Sequence, residues 1–223
     1  KNININKYFN NEKISKKISE IEIKNKYLSI SDKKRLFETR KYFTKKNIIL
    51  IDRDGVLNLK NTNSRYVRNL RELKMNERII SVLKKFPKMS YICITNQAGV
   101  STKDLHKKDL FKINSYIKKH LKKNNINLID FFISTDHFES DSFYRKPNPG
   151  NFLKAAIKYN LLLDKTFYIG DDPRDVLASY NSNTRCVYIG KKKLLKSIRE
   201  IDMKNILLKN LERSIYLKYK LIY

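Results

Sequence analysis

The sequence has no tryptophan and only two cysteines, and 22 acidic residues stand against 49 lysines and arginines. Two thiols cannot form a disulfide framework. Cys93 and Cys186 each sit inside an apolar run, which makes them buried thiols and points to a reducing compartment, the cytoplasm. No apolar stretch approaches the length of a membrane span, and no signal peptide is visible. No segment repeats another. The chain opens at Lys1 rather than methionine, which leaves room for a further domain ahead of it.

The shortage of acids gives a formal charge of +27 and a pI near 10. That balance favours acidic or phosphorylated partners and gives non-specific attraction to nucleic acid. However, the lysines run from end to end among many isoleucines and asparagines, the mixture an AT-rich coding sequence produces. No groove of alternating aromatic and basic residues is legible. Charge therefore does not define the function. At 223 residues the chain can form one good core with material left for extensions.

Glycine and proline are scarce too, five and four, yet four of the glycines and three of the prolines fall within three short motifs and the helix starts beside them, or in the loop after the second strand. The central stretch is I-I-L-I-D-R-D-G-V-L-N, Ile48–Asn58. Four consecutive apolar residues, Ile48–Ile51, suit a strand buried on both faces of a parallel sheet. Asp52 and Asp54 follow, two apart and so on one side of an extended chain, with Gly55 permitting a sharp turn. Paired carboxylates at a buried strand end are costly unless a cation or phosphate chemistry uses them. T-N-Q-A-G (Thr95–Gly99), R-K-P (Arg145–Pro147) and G-D-D-P-R-D (Gly170–Asp175) arrive later, in order.

Residues 1–46 have helical period (Ile14, Ile18, Ile21; Leu36, Arg40, Phe43 after a Ser31–Asp32 cap) and no chemistry, so they read as a helical extension or linker. Between the motifs, strands are expected near 48–51, 90–94, 128–134, 166–169 and 186–189. Helices are expected from Asn76 (Ile79, Leu83, Phe86), over 107–123 (Leu110, Ile113, Ile117, Leu121), after an Asn148 cap with Pro149 at the first helical position, and after an Asp172 cap with Val176 and Tyr180 facing in. The 191–223 tail is helical in period and chemically silent. Strands alternating with helices predict an α/β fold, a Rossmann-like parallel sheet with helices on both faces. Ligands bind such sheets at the carboxyl ends of the strands, where all four motifs lie.

Taken together, the four motifs are similar to those of the haloacid-dehalogenase-like phosphatase superfamily, subfamily IIIA. D-R-D-G-V-L-N and T-N-Q-A-G-V resemble its histidinol-phosphate and heptose-bisphosphate phosphatase branch, over residues 47–190. The resemblance implies a phosphatase core without a large cap domain, a phosphoaspartate intermediate and Mg²⁺ as cofactor. Asp52 would be the nucleophile, ionised at neutral pH without a general base. Asp54 would be the acid/base, with a second metal carboxylate as the other reading. Asp52, Asp54 (through its backbone carbonyl) and Asp171 would hold the metal. Asp172 would act through water, cap a helix, or do both. Thr95 and the Asn96 N–H suit the non-bridging phosphoryl oxygens, and Lys146 would face Asp52. Arg145 would contact a second phosphate or a carboxylate, or stay solvated.

Many relatives carry a cysteine-rich zinc loop just before R-K-P. Here that interval reads T-D-H-F-E-S-D-S-F-Y, with His137 and no cysteine, so no structural zinc is expected. G-D-D-P-R-D also departs from the G-D-K form usual in that branch. The favoured substrate is a small phosphorylated sugar, a heptose (bis)phosphate. The alternative is a polynucleotide 3′-phosphatase, whose family shares D-x-D-G, T-N-Q and R-K-P. A third class, an idle docking module, would have no reason to retain every acid. The pocket is expected between loops 59–74 and 97–106 and the segment 135–146.

Overall fold

The computed structural model describes residues 30–42, 46–62 and 64–191. The chain separates into two compact units, Lys1–Lys41 and Tyr42–Tyr223. In the first, helix α1 (Lys33–Tyr42) starts where the cap signal placed it, the Arg35 N–H donating to Asp32 Oδ1 at 2.8 Å. The remaining expectations for residues 1–29 and for the tail beyond Lys191 lie outside the described residues.

The larger unit runs β1 (Ile48–Ile51), α2 (Glu77–Leu83), β2 (Ser90–Asn96), α3 (Lys107–Lys123), β3 (Asn127–Ser134), α4 (Gly150–Tyr159), a 3-10 turn (Leu163–Lys165), β4 (Phe167–Gly170), α5 (Pro173–Asn181) and β5 (Arg185–Tyr188). The five strands form one parallel sheet in the order β3-β2-β1-β4-β5. After β3 the chain therefore crosses back over β2 and β1, and the order reverses beside β1.

Alternation along β1 divides the core into two. Ile49 and Ile51 pack with Ile80 and Leu83 of α2 and Ile113, Ile117 and Leu121 of α3. Ile48 and Leu50 pack with Phe152 and Ala155 of α4, Tyr168, and Val176 of α5. Each such side chain contributes about 1.5–3 kcal/mol on burial, which is why a four-residue strand can be the centre of the sheet. The expected fold class holds: a Rossmann-like α/β sheet covered on both faces.

Three local expectations are corrected. Tyr180 points out, 61% exposed, because α5 buries the i, i+3, i+4 set Asp175, Ala178 and Ser179, with Val176 beside them. Helix α2 ends at Leu83, and Phe86 is buried from the turn beyond it. Pro149 occupies the cap position of α4 rather than the first helical one, while Asn148 donates instead to the Ser142 carbonyl at 2.9 Å.

Candidate active site

Strand register assembles the site. Ile51 lies between Cys93 of β2 and Ile169 of β4, so the residues just beyond, Asp52, Thr95 and Asp171, emerge on one edge. The Asp52 N–H still donates to the Ile169 carbonyl at 2.9 Å, fixing the backbone at the point where its side chain leaves the core. Gly55 at φ +90° makes the turn that follows. A Cβ there would lie 2.2 Å from Asp171 Oδ2, so only glycine lets the β4 acid reach β1.

Lys146 is the hub. Its buried ammonium reaches Asp52 Oδ1 at 2.8 Å, Asp175 Oδ1 at 2.7 Å, Tyr168 Oη at 2.6 Å and the Ile94 carbonyl at 3.1 Å. Burial alone would lower its pKa, but the charges of Asp175 and Asp52 outweigh burial and hold it above the ordinary lysine range. For Asp52 burial wins, pushing the carboxyl up to about 7 against the pull of Lys146. Asn96 fastens this lysine to the sheet. Its side chain donates to the Lys146 carbonyl at 2.9 Å and accepts from the Lys146 N–H at 3.0 Å.

Asp54 is caged. Arg53, fully buried, donates to both its oxygens at 3.0–3.3 Å, and also to Gln97 Oε1 at 2.8 Å and Asn114 Oδ1 at 3.1 Å. Asn58 and Gln97 add bonds to Asp54 at 2.9 and 2.7 Å, and Gln97 also donates to Thr95 Oγ1 at 2.9 Å. Burial raises Asp54, yet the Arg53 charge and these donors bring its carboxyl below the ordinary carboxylate range.

On the β4 side, Asp171 Oδ2 meets Lys60 Nζ at 2.6 Å, while its buried Oδ1 has no hydrogen-bond partner among the described residues. Burial raises this carboxyl. Asp172 caps α5, Oδ1 accepting from the Arg174 N–H at 3.0 Å and both oxygens bridged by the Arg174 guanidinium. Those bonds outweigh burial and lower its pKa to about 2. Asp175 is spent on structure as well as on Lys146: Oδ2 accepts the N–H groups of Asp171 and Asp172, both at 3.0 Å.

Carboxylate oxygens of Asp52, Asp171 and Asp175 lie within 4.8 Å of one another. The side chains of Asp54 and Asp172 are not part of that cluster. Above it opens a cavity of about 220 Å³, lined also by Thr95, Asn96, Lys60, Tyr66, Arg65, Arg145 and Arg174. Loop 59–67 forms much of its wall, whereas Ala98 alone represents 97–106, and Arg145 and Lys146 alone represent 135–146. Arg145 is nine-tenths buried and its Nη1 has no hydrogen-bond partner among the described residues. Burial, with Arg174 and Arg65 nearby, lowers its pKa. His137 lies on the loop before it, stacked near Phe138, whose ring also faces the Arg65 guanidinium at 4.9 Å.

Reading the motifs alone misses Lys60, Arg65, Arg53, Gln97, Asn114, Tyr168 and Arg174 as parts of the site. Arg53 and Gln97 stood inside motifs, and Asn114 was a polar residue on the inward face of α3. Lys60 and Arg65 carried no signal beyond the general surplus of base.

A doubly wound parallel sheet with an Asp-x-Asp turn after β1, a Thr at the end of β2, a buried Lys and an acidic turn after β4 defines the haloacid-dehalogenase-like class. The sequence model of the polynucleotide kinase 3 phosphatase family matches residues 47–205, and the chain belongs to that family. It is a phosphatase, a phosphoric monoester hydrolase.

Among its relatives, D-glycero-beta-D-manno-heptose-1,7-bisphosphate 7-phosphatase of Helicobacter pylori is 29% identical over 140 residues, 61% of this chain and 79% of that one. D-glycero-alpha-D-manno-heptose-1,7-bisphosphate 7-phosphatase of Campylobacter jejuni is 29% identical over 141 residues, 62% of this chain and 79% of that one. The crystal structure of D,D-heptose 1,7-bisphosphate phosphatase from B. bronchiseptica, complexed with magnesium and phosphate, superposes with a TM-score of 0.69. It is 19% identical and covers 79% of this chain and 99% of that one, a likeness of fold.

Proposed function

We propose that the chain hydrolyses a small phosphorylated sugar, most suitably a heptose (bis)phosphate, through a phosphoaspartate on Asp52. The observation that carries this reading is the small cavity itself, with acids and Lys146 at its floor and, at its wall, Arg145, whose buried Nη1 has no hydrogen-bond partner among the described residues. That arrangement suits a compact ester carrying a second anionic group. The substrates printed for the relatives above support the sugar.

The residues present fit a hard divalent cation. Asp171 lies beside Asp52 and its buried Oδ1 has no hydrogen-bond partner among the described residues, whereas each oxygen of Asp175 already accepts two donors. Asp52 and Asp171 would hold the ion, Mg²⁺ by its preference for oxygen, with the Asp54 carbonyl as a third ligand. Asp172, committed to Arg174 and to the helix cap, would serve the site indirectly. When bound, the ion offsets the charge of nucleophile and phosphoryl oxygens.

In this reading Asp52 attacks phosphorus as the bond to the leaving oxygen breaks, and Asp54 supplies the proton to that oxygen. Arg53, Asn58 and Gln97 keep Asp54 ionised at rest, so its proton arrives with the substrate's monoanion. Water then gives a proton to Asp54 and attacks the acyl phosphate as the bond to Asp52 breaks; the phosphate takes that proton with it as it leaves, which restores both carboxylates. Thr95, the Asn96 N–H and Lys146 hold the phosphoryl oxygens throughout. The core at 47–190 would do this chemistry, with the helical ends as accessory segments. The two buried free thiols support a reducing compartment.

A second reading, removal of a 3′-phosphate from a nucleic-acid end, draws on the family's description and on the charge of +27. Side-by-side assay at physiological salt separates the two. Catalytic efficiency on a sugar phosphate should exceed that on a 3′-phosphorylated oligonucleotide. Faster phosphate release from the oligonucleotide would hand the site to the second reading.

A further inference from the structure

We infer that Lys60 is an internal counter-cation of the carboxylate site, one that weakens the hold of that site on a divalent ion. The inference rests on the cation site proposed above and goes beyond it.

The charges at the floor are unevenly shared. Lys146 serves Asp52 and Asp175 together, at 2.8 and 2.7 Å, and is buried with them. Asp171 stands apart from that pairing. Its counter-charge among the described residues is Lys60, whose Nζ lies 2.6 Å from Oδ2. The two oxygens of this one carboxylate therefore have different environments: Oδ2 faces an ammonium, and Oδ1 is buried with no hydrogen-bond partner among the described residues, on a carboxylate that belongs to the cluster with Asp52 and Asp175.

A buried carboxylate without a counter-charge is costly, so Lys60 stabilises the site while no ion is there. The same ammonium becomes a like charge a few ångströms from a divalent ion on Oδ1, and it draws electron density from the shared carboxylate. Both effects lower affinity for the ion.

Its tether suits such a role. Lys60 follows Asn58 and Leu59 at the start of the wall loop, and the Leu59 N–H is fixed to the Lys74 carbonyl at 2.8 Å. The base of the side chain is thereby held over the site. Its side chain remains 53% exposed and can swing towards water without disturbing the core. A half-exposed charge is partly screened, which keeps the expected effect moderate.

The test is calorimetric titration of the full chain with Mg²⁺ alone, in wild type, Lys60→Met and Lys60→Arg, with thermal melts in EDTA and in excess Mg²⁺. Lys60→Met should bind Mg²⁺ about fivefold to tenfold more tightly. It should melt lower than wild type in EDTA but not in Mg²⁺. Lys60→Arg keeps the positive charge and should retain the wild-type affinity.

Equal or weaker Mg²⁺ binding by Lys60→Met would overturn the inference, since the lysine would then be neutral or would orient Asp171 for the ion. Equal tightening of Mg²⁺ binding by Met and Arg would overturn it as well, because a change of shape rather than loss of charge would explain both. Wild-type protein that releases phosphate yet takes up no Mg²⁺ would remove the cation site and this inference with it. Tight Mg²⁺ binding without turnover would refute only the phosphatase reading.

Discussion

At the scale of the residue, each carboxylate has its role set by what its oxygens already accept. Asp52 meets one buried ammonium, Asp54 is saturated by Arg53, Asn58 and Gln97, and Asp171 has one oxygen without a donor. Asp52→Asn should therefore lower turnover at least about a thousandfold with the fold intact, measured by phosphate release and by circular dichroism. Arg53→Met should be worse for stability, by about 3–5 kcal/mol, because it leaves polar partners unpaired in the interior. Urea unfolding measures this, and a loss below about 1 kcal/mol would show the cage to be dispensable. The acids themselves were legible, since their spacing and their place after an apolar run are local. The cage was not: it joins Arg53 and Gln97 from the turns after β1 and β2 with Asn114 from α3, and only the sheet order brings these together.

At the scale of the element, the strands could be read because four-residue apolar runs such as Ile48–Ile51 have no other use in a sheet covered on both faces. Helix α5 could be read from Asp172-Pro173, a cap followed by proline. Its inward face could not, because period alone does not tell whether Tyr180 or Ser179 meets the sheet; the close approach of Asp175 to Gly170 decides it. The cap gives a pH prediction. Asp172 has a folded pKa of about 2 against an ordinary 3.8, so its contribution is fully present above about pH 4 and is lost as pH falls through 2. In EDTA, Asp172→Ala should cost about 1 kcal/mol at neutral pH, and the difference from wild type should vanish near pH 2. A penalty unchanged across that range would assign the cap to the backbone alone.

At the scale of the whole molecule, the +27 charge and the enclosed site make separable demands. DNA binding should weaken steeply with salt as counterions are released, while turnover of a sugar phosphate, whose proposed contacts are Arg145, Lys146 and the cation, should change far less. Equal salt dependence of the two would place the substrate on the open basic surface. Activity should vanish in EDTA and return with Mg²⁺. Substrate was the least legible property, because the basic residues that line the cavity, Lys60, Arg65 and Arg174, are set in a sequence already rich in such residues. The central claim is covalent transfer to Asp52, and acid-quenched peptide mass spectrometry of Asp54→Asn after mixing with Mg²⁺ and an activated aryl phosphate, whose leaving group needs no proton from Asp54, tests it most directly. One phosphoryl group is expected on the peptide containing Asp52, absent from the Asp52→Asn, Asp54→Asn double variant. Continued turnover by Asp52→Asn, with no phosphorylated peptide in either variant, would contradict it.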